Sequence, residues 1–112
     1  MGPAGTVHLP PAAMMRFLAV HAAEDPAFLP PDAWDRLHGP VGRYAMGWRR
    51  AGDGLAHFGS NTAWMAQMWI GEGRAVFVAV NAGGEAAKLE TERVLMRLAE
   101  AAPPATPTAP RP

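Results

Sequence analysis

Apolar residues in the first third of the chain follow helical spacing. Ala13, Phe17 and Val20 recur every three or four residues, and Met14 with Leu18 widens this apolar face, which predicts a helix over residues 12–24. A second, short helix is predicted over residues 33–38, because two prolines and an aspartate precede it and a Gly-Pro step follows it.

The pattern then changes to alternation, which is typical of strands. Apolar and small or polar residues alternate over 44–49, and turn residues separate this segment from a strand at 55–58. A segment at 63–70 is apolar on both faces, which predicts a central strand covered on both sides. A last strand is predicted at 75–81. The tryptophans of these strands are predicted to pack on the sheet faces: Trp48, Trp64 and Trp69.

The clearest helix follows the strands, at residues 85–101. Its acidic residues crowd the N-terminal half, which suits the helix dipole. The residues predicted to form its apolar face lie at helical spacing: Ala87, Thr91, Val94, Leu95, Leu98 and Ala102. The predicted fold class is therefore α+β: an antiparallel β-meander of about four strands, a packed C-terminal helix and two short N-terminal helices. This unit comprises residues 1–102. The proline- and alanine-rich composition of residues 103–112 predicts a disordered tail.

Composition excludes several classes of function. Lysine and arginine total 10 and aspartate and glutamate total 10, so nucleic acid and anionic membranes are not expected partners. The absence of cysteine excludes disulfides, thiolate metal sites and a cysteine nucleophile. No apolar run approaches the ~20 residues of a membrane span, and the N-terminus lacks the pattern of a secretory signal, so the compartment stays open. The histidines have no metal-ligand spacing, and neither a metal nor a cofactor is predicted.

Candidate chemistry is concentrated in residues 57–62, which hold the only serine, Ser60. A histidine and a serine at a strand end offer an imidazole and a backbone N–H to a ligand. Gly59 between them allows a close approach of the backbone. Taken without its surroundings, His57 at a strand end is better explained by a structural or surface role.

Several segments, in this order, resemble the C-terminal part of the serine β-lactamase and penicillin-binding-protein-like hydrolases, with the class C-like β-lactamases and related esterases nearest. Tyr44-Ala45-Met46-Gly47-Trp48 is similar to the Y-G-L-G-W strand of that family, and His57-Phe58-Gly59 is similar to its H-x-G motif. The other similar segments lead into the first two predicted helices and end the last predicted strand at an asparagine: residues 4–18, 28–37 and 75–83. The resemblance covers residues 4–101.

This resemblance implies a partial β-lactamase/transpeptidase-like fold and a set of roles in the site. His57 would stabilise charge around a substrate, and the backbone N–H of Ser60 would be one of two oxyanion-hole donors. Gly59 would let the substrate approach the strand. The remaining residues expected to line the substrate are Phe58, Asn61 and Thr62. The substrate would be a small molecule or a peptide with an amide or ester bond.

The chain also departs from the family pattern. The nucleophilic serine of that family lies in an S-x-x-K motif, but the only serine and the only lysine here are Ser60 and Lys88. The Y-x-N motif is absent as well. The chain alone is therefore expected to be inactive and to represent a C-terminal segment, whose partner would be a missing N-terminal portion.

Two other hypotheses remain beside this one. The chain could be a non-catalytic binding or interaction module that retains the wall of a cleft, or a decayed fragment with no function of its own. If N-terminal elements are missing, apolar sheet surface or a strand edge should be uncovered, which favours self-association.

Overall fold

The computed structural model describes residues 7–39 and 42–102, and the predicted tail lies outside them. Two helices come first, then five strands, then a long helix, and each element except β2 starts close to a predicted one. Their bounds are α1 Pro11–Ala23, α2 Pro31–His38, β1 Tyr44–Ala45, β2 Trp48–Ala51, β3 Gly54–Asn61, β4 Trp64–Gly71, β5 Arg74–Val80 and α3 Glu85–Ala101.

The strands form one sheet in the order β1-β2-β3-β4-β5, and every neighbouring pair is antiparallel. The α+β class, the meander and the C-terminal helix on the sheet are confirmed, but the sheet has five strands instead of about four. The difference lies at residues 44–49, which form a hairpin instead of one strand. Met46 and Gly47 both have positive φ angles, 54° and 86°, and reverse the chain within two residues.

Strand β4 lies in the interior of the sheet and is covered on both faces, as predicted. Its odd-numbered residues from Met65 to Trp69 face α3, while Ile70 faces α1. Trp48 and Trp69 are buried, but Trp64, at the start of β4, is 57% exposed, so its predicted packing is wrong.

Helix α3 packs on one face of the sheet through a narrow apolar stripe. The buried cluster joins Leu95 and Ala99 of the helix to Ala56, Trp69 and Val76 of the strands. The predicted apolar face was too wide, because Val94 and Leu98 are 44% and 43% exposed. These two residues lie beside the buried stripe of α3, so part of the apolar surface of the helix is exposed.

Helix α1 covers the opposite face of the sheet and contacts β4 and β5. Leu18 is fully buried against Trp48, Leu55 and Ile70, with Met14 and Ala22 packed beside it. The face of α1 that meets the sheet is therefore centred on Leu18, whereas Phe17, which belongs to the same predicted apolar face, is 47% exposed.

Helix α2 is held by a buried tryptophan. Trp34 is 1% exposed, and its indole N–H donates to the carbonyl oxygen of Asp25 at 2.9 Å. This bond satisfies the polar atom of a side chain that otherwise packs among aromatic rings. The loop between α1 and α2 is thereby fixed to the core.

Candidate functional site

The outer edge of β3 is only partly covered by its neighbour. Strand β4 pairs with β3 from Leu55 to Asn61, but β2 pairs with it only from Gly54 to Ala56. The chain of β2 turns away at Gly47, toward β1. Among the described residues, no strand pairs with the β2 side of β3 beyond Ala56, so this open edge coincides with the predicted site.

The backbone groups on this open edge belong to Phe58 and Ser60. A two-residue loop joins β3 to β4, so Asn61 and Trp64 form the hydrogen-bonded pair that closes the hairpin. Backbone N–H and C=O groups alternate in direction along a strand. The N–H groups of Phe58 and Ser60 therefore point away from β4, off the open edge.

The side chains of the six candidate residues do not converge on one point. His57, Gly59 and Asn61 lie on the sheet face covered by α1, because their cross-strand partners include Met68. Phe58 and Ser60 lie on the opposite face, which α3 covers further along the sheet. The open edge runs between these two groups of side chains.

His57 is half-buried, and its Nδ1 is buried without a hydrogen-bond partner in the structure. Its ring lies 6.1 Å from the ring of Tyr44, centroid to centroid. At Gly59, two residues further on, a Cβ atom would meet nothing within 4 Å. The fold itself therefore does not require glycine at this position, and the space beside it is open.

The hydroxyl of Ser60 is bound within the hairpin. It donates to the carbonyl oxygens of Asn61 and Trp64, at 2.9 and 3.0 Å. The imidazole of His57 lies on the other face of the strand, so it cannot accept the proton of this hydroxyl. Ser60 consequently presents its backbone N–H at the open edge, and its hydroxyl stabilises the turn.

The turn after β3 is held by Asn61 and by the loop that enters α3. Oδ1 of Asn61 accepts a hydrogen bond from the N–H of Ala63 at 3.0 Å, which is a typical Asx turn. A Cβ atom at Gly83 would lie 2.5 Å from the carbonyl oxygen of Thr62. Gly83 is therefore needed for the close approach of this loop to the turn, which the sequence pattern alone did not indicate.

Two cationic side chains lie over the ring of Phe58. Nζ of Lys88 lies 5.0 Å from the ring centroid, and Cζ of Arg49 lies 5.8 Å from it. Both distances are within the range of cation–π attraction. Lys88 and Arg49 were not among the predicted site residues, because 39 positions of sequence separate them and no spacing rule connects them.

Exposed aromatic side chains also surround the open edge. Tyr44 and Trp64 are each 57% exposed, and Met46 is 59% exposed. Packing on a sheet face was predicted for Trp64 but not for Tyr44 or Met46. Trp64, opposite Asn61, adds apolar contact surface on the side of the sheet that carries His57, and the ring of Tyr44 lies near that of His57.

A second polar cluster lies away from this edge, between the two N-terminal helices. Nδ1 of His21 is 3.0 Å from Nε2 of His38, and Nδ1 of His38 is 3.7 Å from Oε2 of Glu24. Burial lowers the pKa of both histidines, and His38 lowers the pKa of His21 further. Glu24 acts in the opposite direction on the pKa of His38.

Two kinds of feature are absent from residues 7–39 and 42–102. No group of three or more metal-ligating side chains occurs in this part of the chain. No helix there is long and apolar enough to cross a membrane.

Comparison with known proteins adds no relative. No protein-family model matches the chain, and neither the curated proteins nor the solved structures contain a match.

Proposed function

We propose that this chain is the C-terminal portion of a β-lactamase-like serine hydrolase, an enzyme that cleaves an amide or ester bond through a serine acyl-enzyme. The observation that carries the proposal is the open edge of β3 at His57-Phe58-Gly59-Ser60. A motif similar to H-x-G occurs where the backbone is unpaired, and the N–H of Ser60 points off that edge.

The chemistry of this edge fits an extended acyl substrate. A substrate lying beside β3 would add a strand to the sheet through the free groups of Phe58 and Ser60. The N–H of Ser60 would donate to the carbonyl oxygen as it gains negative charge, and loss of one such donor typically costs about 3–4 kcal/mol of barrier. The imidazole of His57 would stabilise charge on the α1 side of the substrate.

The nucleophile would come from the N-terminal portion of the enzyme. The Ser60 hydroxyl is engaged with two carbonyl oxygens, and His57 cannot reach it. This chain alone therefore binds acyl substrates without forming an acyl-enzyme. A coding sequence for S-x-x-K and Y-x-N directly upstream in the gene would supply the missing motifs.

Binding at the open edge is tested by substituting Gly59. Because a Cβ atom there meets nothing in the fold, Gly59→Val should leave the thermal unfolding temperature unchanged. It should weaken binding of an N-acyl-D-Ala-D-Ala peptide by roughly tenfold or more, about 1.4 kcal/mol. Backbone amide shifts in NMR titrations report the binding, and the signals of Phe58 and Ser60 should move most.

The control for this substitution is Gly52→Asn, in the distant β2–β3 turn, where φ is 59° and asparagine is tolerated. This variant should bind the peptide as the parent chain does. Equal binding by the Gly59→Val variant would contradict the proposed cleft. Hydrolysis of a chromogenic cephalosporin that disappears in Ser60→Ala would show that the nucleophile lies in this chain.

The second candidate is a non-catalytic module that binds extended peptides. The observation that favours it is the exposure of Tyr44, Phe58 and Trp64 around the unpaired backbone. Such a module would bind peptides by strand addition regardless of a reactive carbonyl. Binding of a peptide and of its reduced-amide analogue with equal affinity would support this function over the hydrolase.

A further inference from the structure

The outer edge of β5 is another open edge, because no strand in the described part of the chain pairs with it there. Glu72 and Gly73 form a two-residue loop between β4 and β5, so Gly71 and Arg74 form its closing hydrogen-bonded pair. By alternation, Val76 and Val78 bond to β4. The backbone N–H and C=O groups of the residues between them point outward, off the sheet: Ala75, Phe77 and Ala79.

The sequence of this edge reads the same in both directions. Ala75-Val76-Phe77-Val78-Ala79 is symmetric about Phe77. In an antiparallel pair of two such strands, a two-fold axis at Phe77 would place Phe77 opposite Phe77 and Ala75 opposite Ala79. These are the residues whose backbone groups point outward, so each facing pair can exchange two hydrogen bonds. The pairing that a two-fold axis at Phe77 produces is therefore also the pairing in which the outward backbone groups can form hydrogen bonds.

We propose that the outer edge of β5 binds a second copy of this chain, so that two sheets join across a two-fold axis at Phe77. This inference goes beyond the proposed function and does not depend on it. The partner surface is the same patch on both copies, as in other two-fold dimers.

The flanks of β5 extend this contact beyond the backbone. An open apolar groove of about 300 Å³ lies along the edge, between Met15 of α1 and Leu98 of α3, with Phe77 in its floor. Val94, one helical turn from Leu98, extends the exposed apolar surface of α3. Side chains of a second copy can fill this groove, which a strand pair alone would not do.

Natural sheets normally protect such an edge against pairing with another chain. The usual devices are an inward-pointing charge, a lysine, a proline or a bulge. Between Ala75 and Val80 there is no charged residue and no proline, and the β4–β5 pairing runs without a bulge. The edge is therefore open to pairing, and its symmetry favours a second copy over an unrelated strand.

Disulfide trapping tests both the dimer and its register. The chain has no cysteine, so introduced thiols report only their own contacts. Facing residues of a hydrogen-bonded pair are separated by about 5.5 Å between Cα atoms, within the roughly 4.4–6.8 Å that a disulfide spans. A mixture of the Ala75→Cys and Ala79→Cys variants should form a disulfide-linked dimer on oxidation.

The controls are the same variants alone and Ala63→Cys, which lies in the exposed β3–β4 turn. None of these should cross-link to the extent of the mixture, because position 75 does not face position 75. Equal cross-linking in all samples would overturn the proposal. A monomer at every concentration in sedimentation equilibrium would also overturn it, as would an edge that pairs only with a strand from another protein.

Ala79→Pro tests the hydrogen bonds of the interface separately. It removes an outward N–H and leaves the β4–β5 pairing intact, and proline is tolerated on edge strands. Two such bonds are lost per dimer, so the dissociation constant should rise roughly tenfold or more. Ala79→Ser, which keeps the N–H, should dimerise as the parent chain does. Equal dissociation constants for the proline and serine variants would contradict the proposed pairing.

Discussion

At the scale of single residues, the least expected feature is a polar side chain in the middle of the sheet. Gln67 is fully buried beneath α3. Its Nε2 donates to the carbonyl oxygen of Lys88 at 3.0 Å and to the hydroxyl of Thr91 at 2.7 Å. Its Oε1 is buried without a partner. Gln67 thus fixes α3 on the sheet while leaving one acceptor unsatisfied, which is energetically unfavourable.

We predict that the volume of the side chain at position 67 contributes more to the stability of the fold than its polarity. Gln67→Ala should lower the free energy of unfolding by about 2–4 kcal/mol, because it removes the anchor of α3 and leaves a cavity. Gln67→Met keeps the volume and removes the unsatisfied oxygen, so its cost should stay below about 1.5 kcal/mol. Denaturant unfolding followed by circular dichroism measures both values. A methionine variant less stable than the alanine variant would refute this account.

At the scale of elements, the hairpins show what local sequence controls. The β1–β2 and β4–β5 turns both place a non-glycine residue with positive φ before a glycine: Met46 at 54° and Glu72 at 53°. Asparagine and glycine are the residues that adopt this conformation at least cost. Both turns therefore carry a suboptimal first residue.

Substituting Met46 should therefore stabilise the β1–β2 hairpin. The side chain of Met46 is 59% exposed, so its removal costs little packing. We predict that Met46→Asn raises the free energy of unfolding by about 0.5–1 kcal/mol. Gly47→Val should lower it by more than about 1 kcal/mol, because a β-branched residue is strained at φ 86°. Equal stability of the two variants in urea titrations would contradict the turn geometry.

The same hairpin explains where prediction from sequence failed. Alternation over residues 44–49 is compatible with one strand, and methionine gives no signal for a turn, so the fifth strand was missed. Helix α3 was predicted at its observed bounds, because its pattern is long and acidic residues cluster in its N-terminal half. The local pattern of apolar and polar residues thus predicted the elements correctly where no residue other than glycine adopts a positive φ angle.

The candidate site was only partly predictable for a different reason. The placement of His57 and Ser60 on opposite faces follows from strand alternation alone. The open edge depends on the length of β2, which begins only after the missed turn at Met46 and Gly47. The cations over the ring of Phe58 come from two other elements, so only the assembled fold brings them together.

At the scale of the whole molecule, the two faces of the sheet are covered differently. Helix α3 packs on one face with a continuous cluster around Trp69 and Leu95. The other face is covered by α1, and α2 joins α1 through rings around Trp34 and meets the sheet where the ring of His38 lies 6.0 Å from that of Trp48. The hydrogen bond between His21 and His38 links these two helices. This part of the fold therefore depends on the charge of two histidines.

We predict that the chain loses stability as pH falls below about 6.5, the ordinary pKa of histidine. Burial lowers the pKa of His21 and His38 in the folded state, so the unfolded chain binds more protons between 6.5 and these lowered values. The stability is fully present above the unfolded pKa and is lost on acidification through this window. Protonation of both rings also removes the acceptor of their hydrogen bond.

The charges around the pair set the size of this effect. Glu24 lies 3.7 Å from His38 and favours its protonated form, so His38 resists acid destabilisation more than burial alone would allow. His21→Gln removes one titrating ring and should flatten the pH dependence of the unfolding temperature between pH 7 and 5. A steep dependence that persists in the His21→Gln, His38→Gln double variant would assign it to other groups.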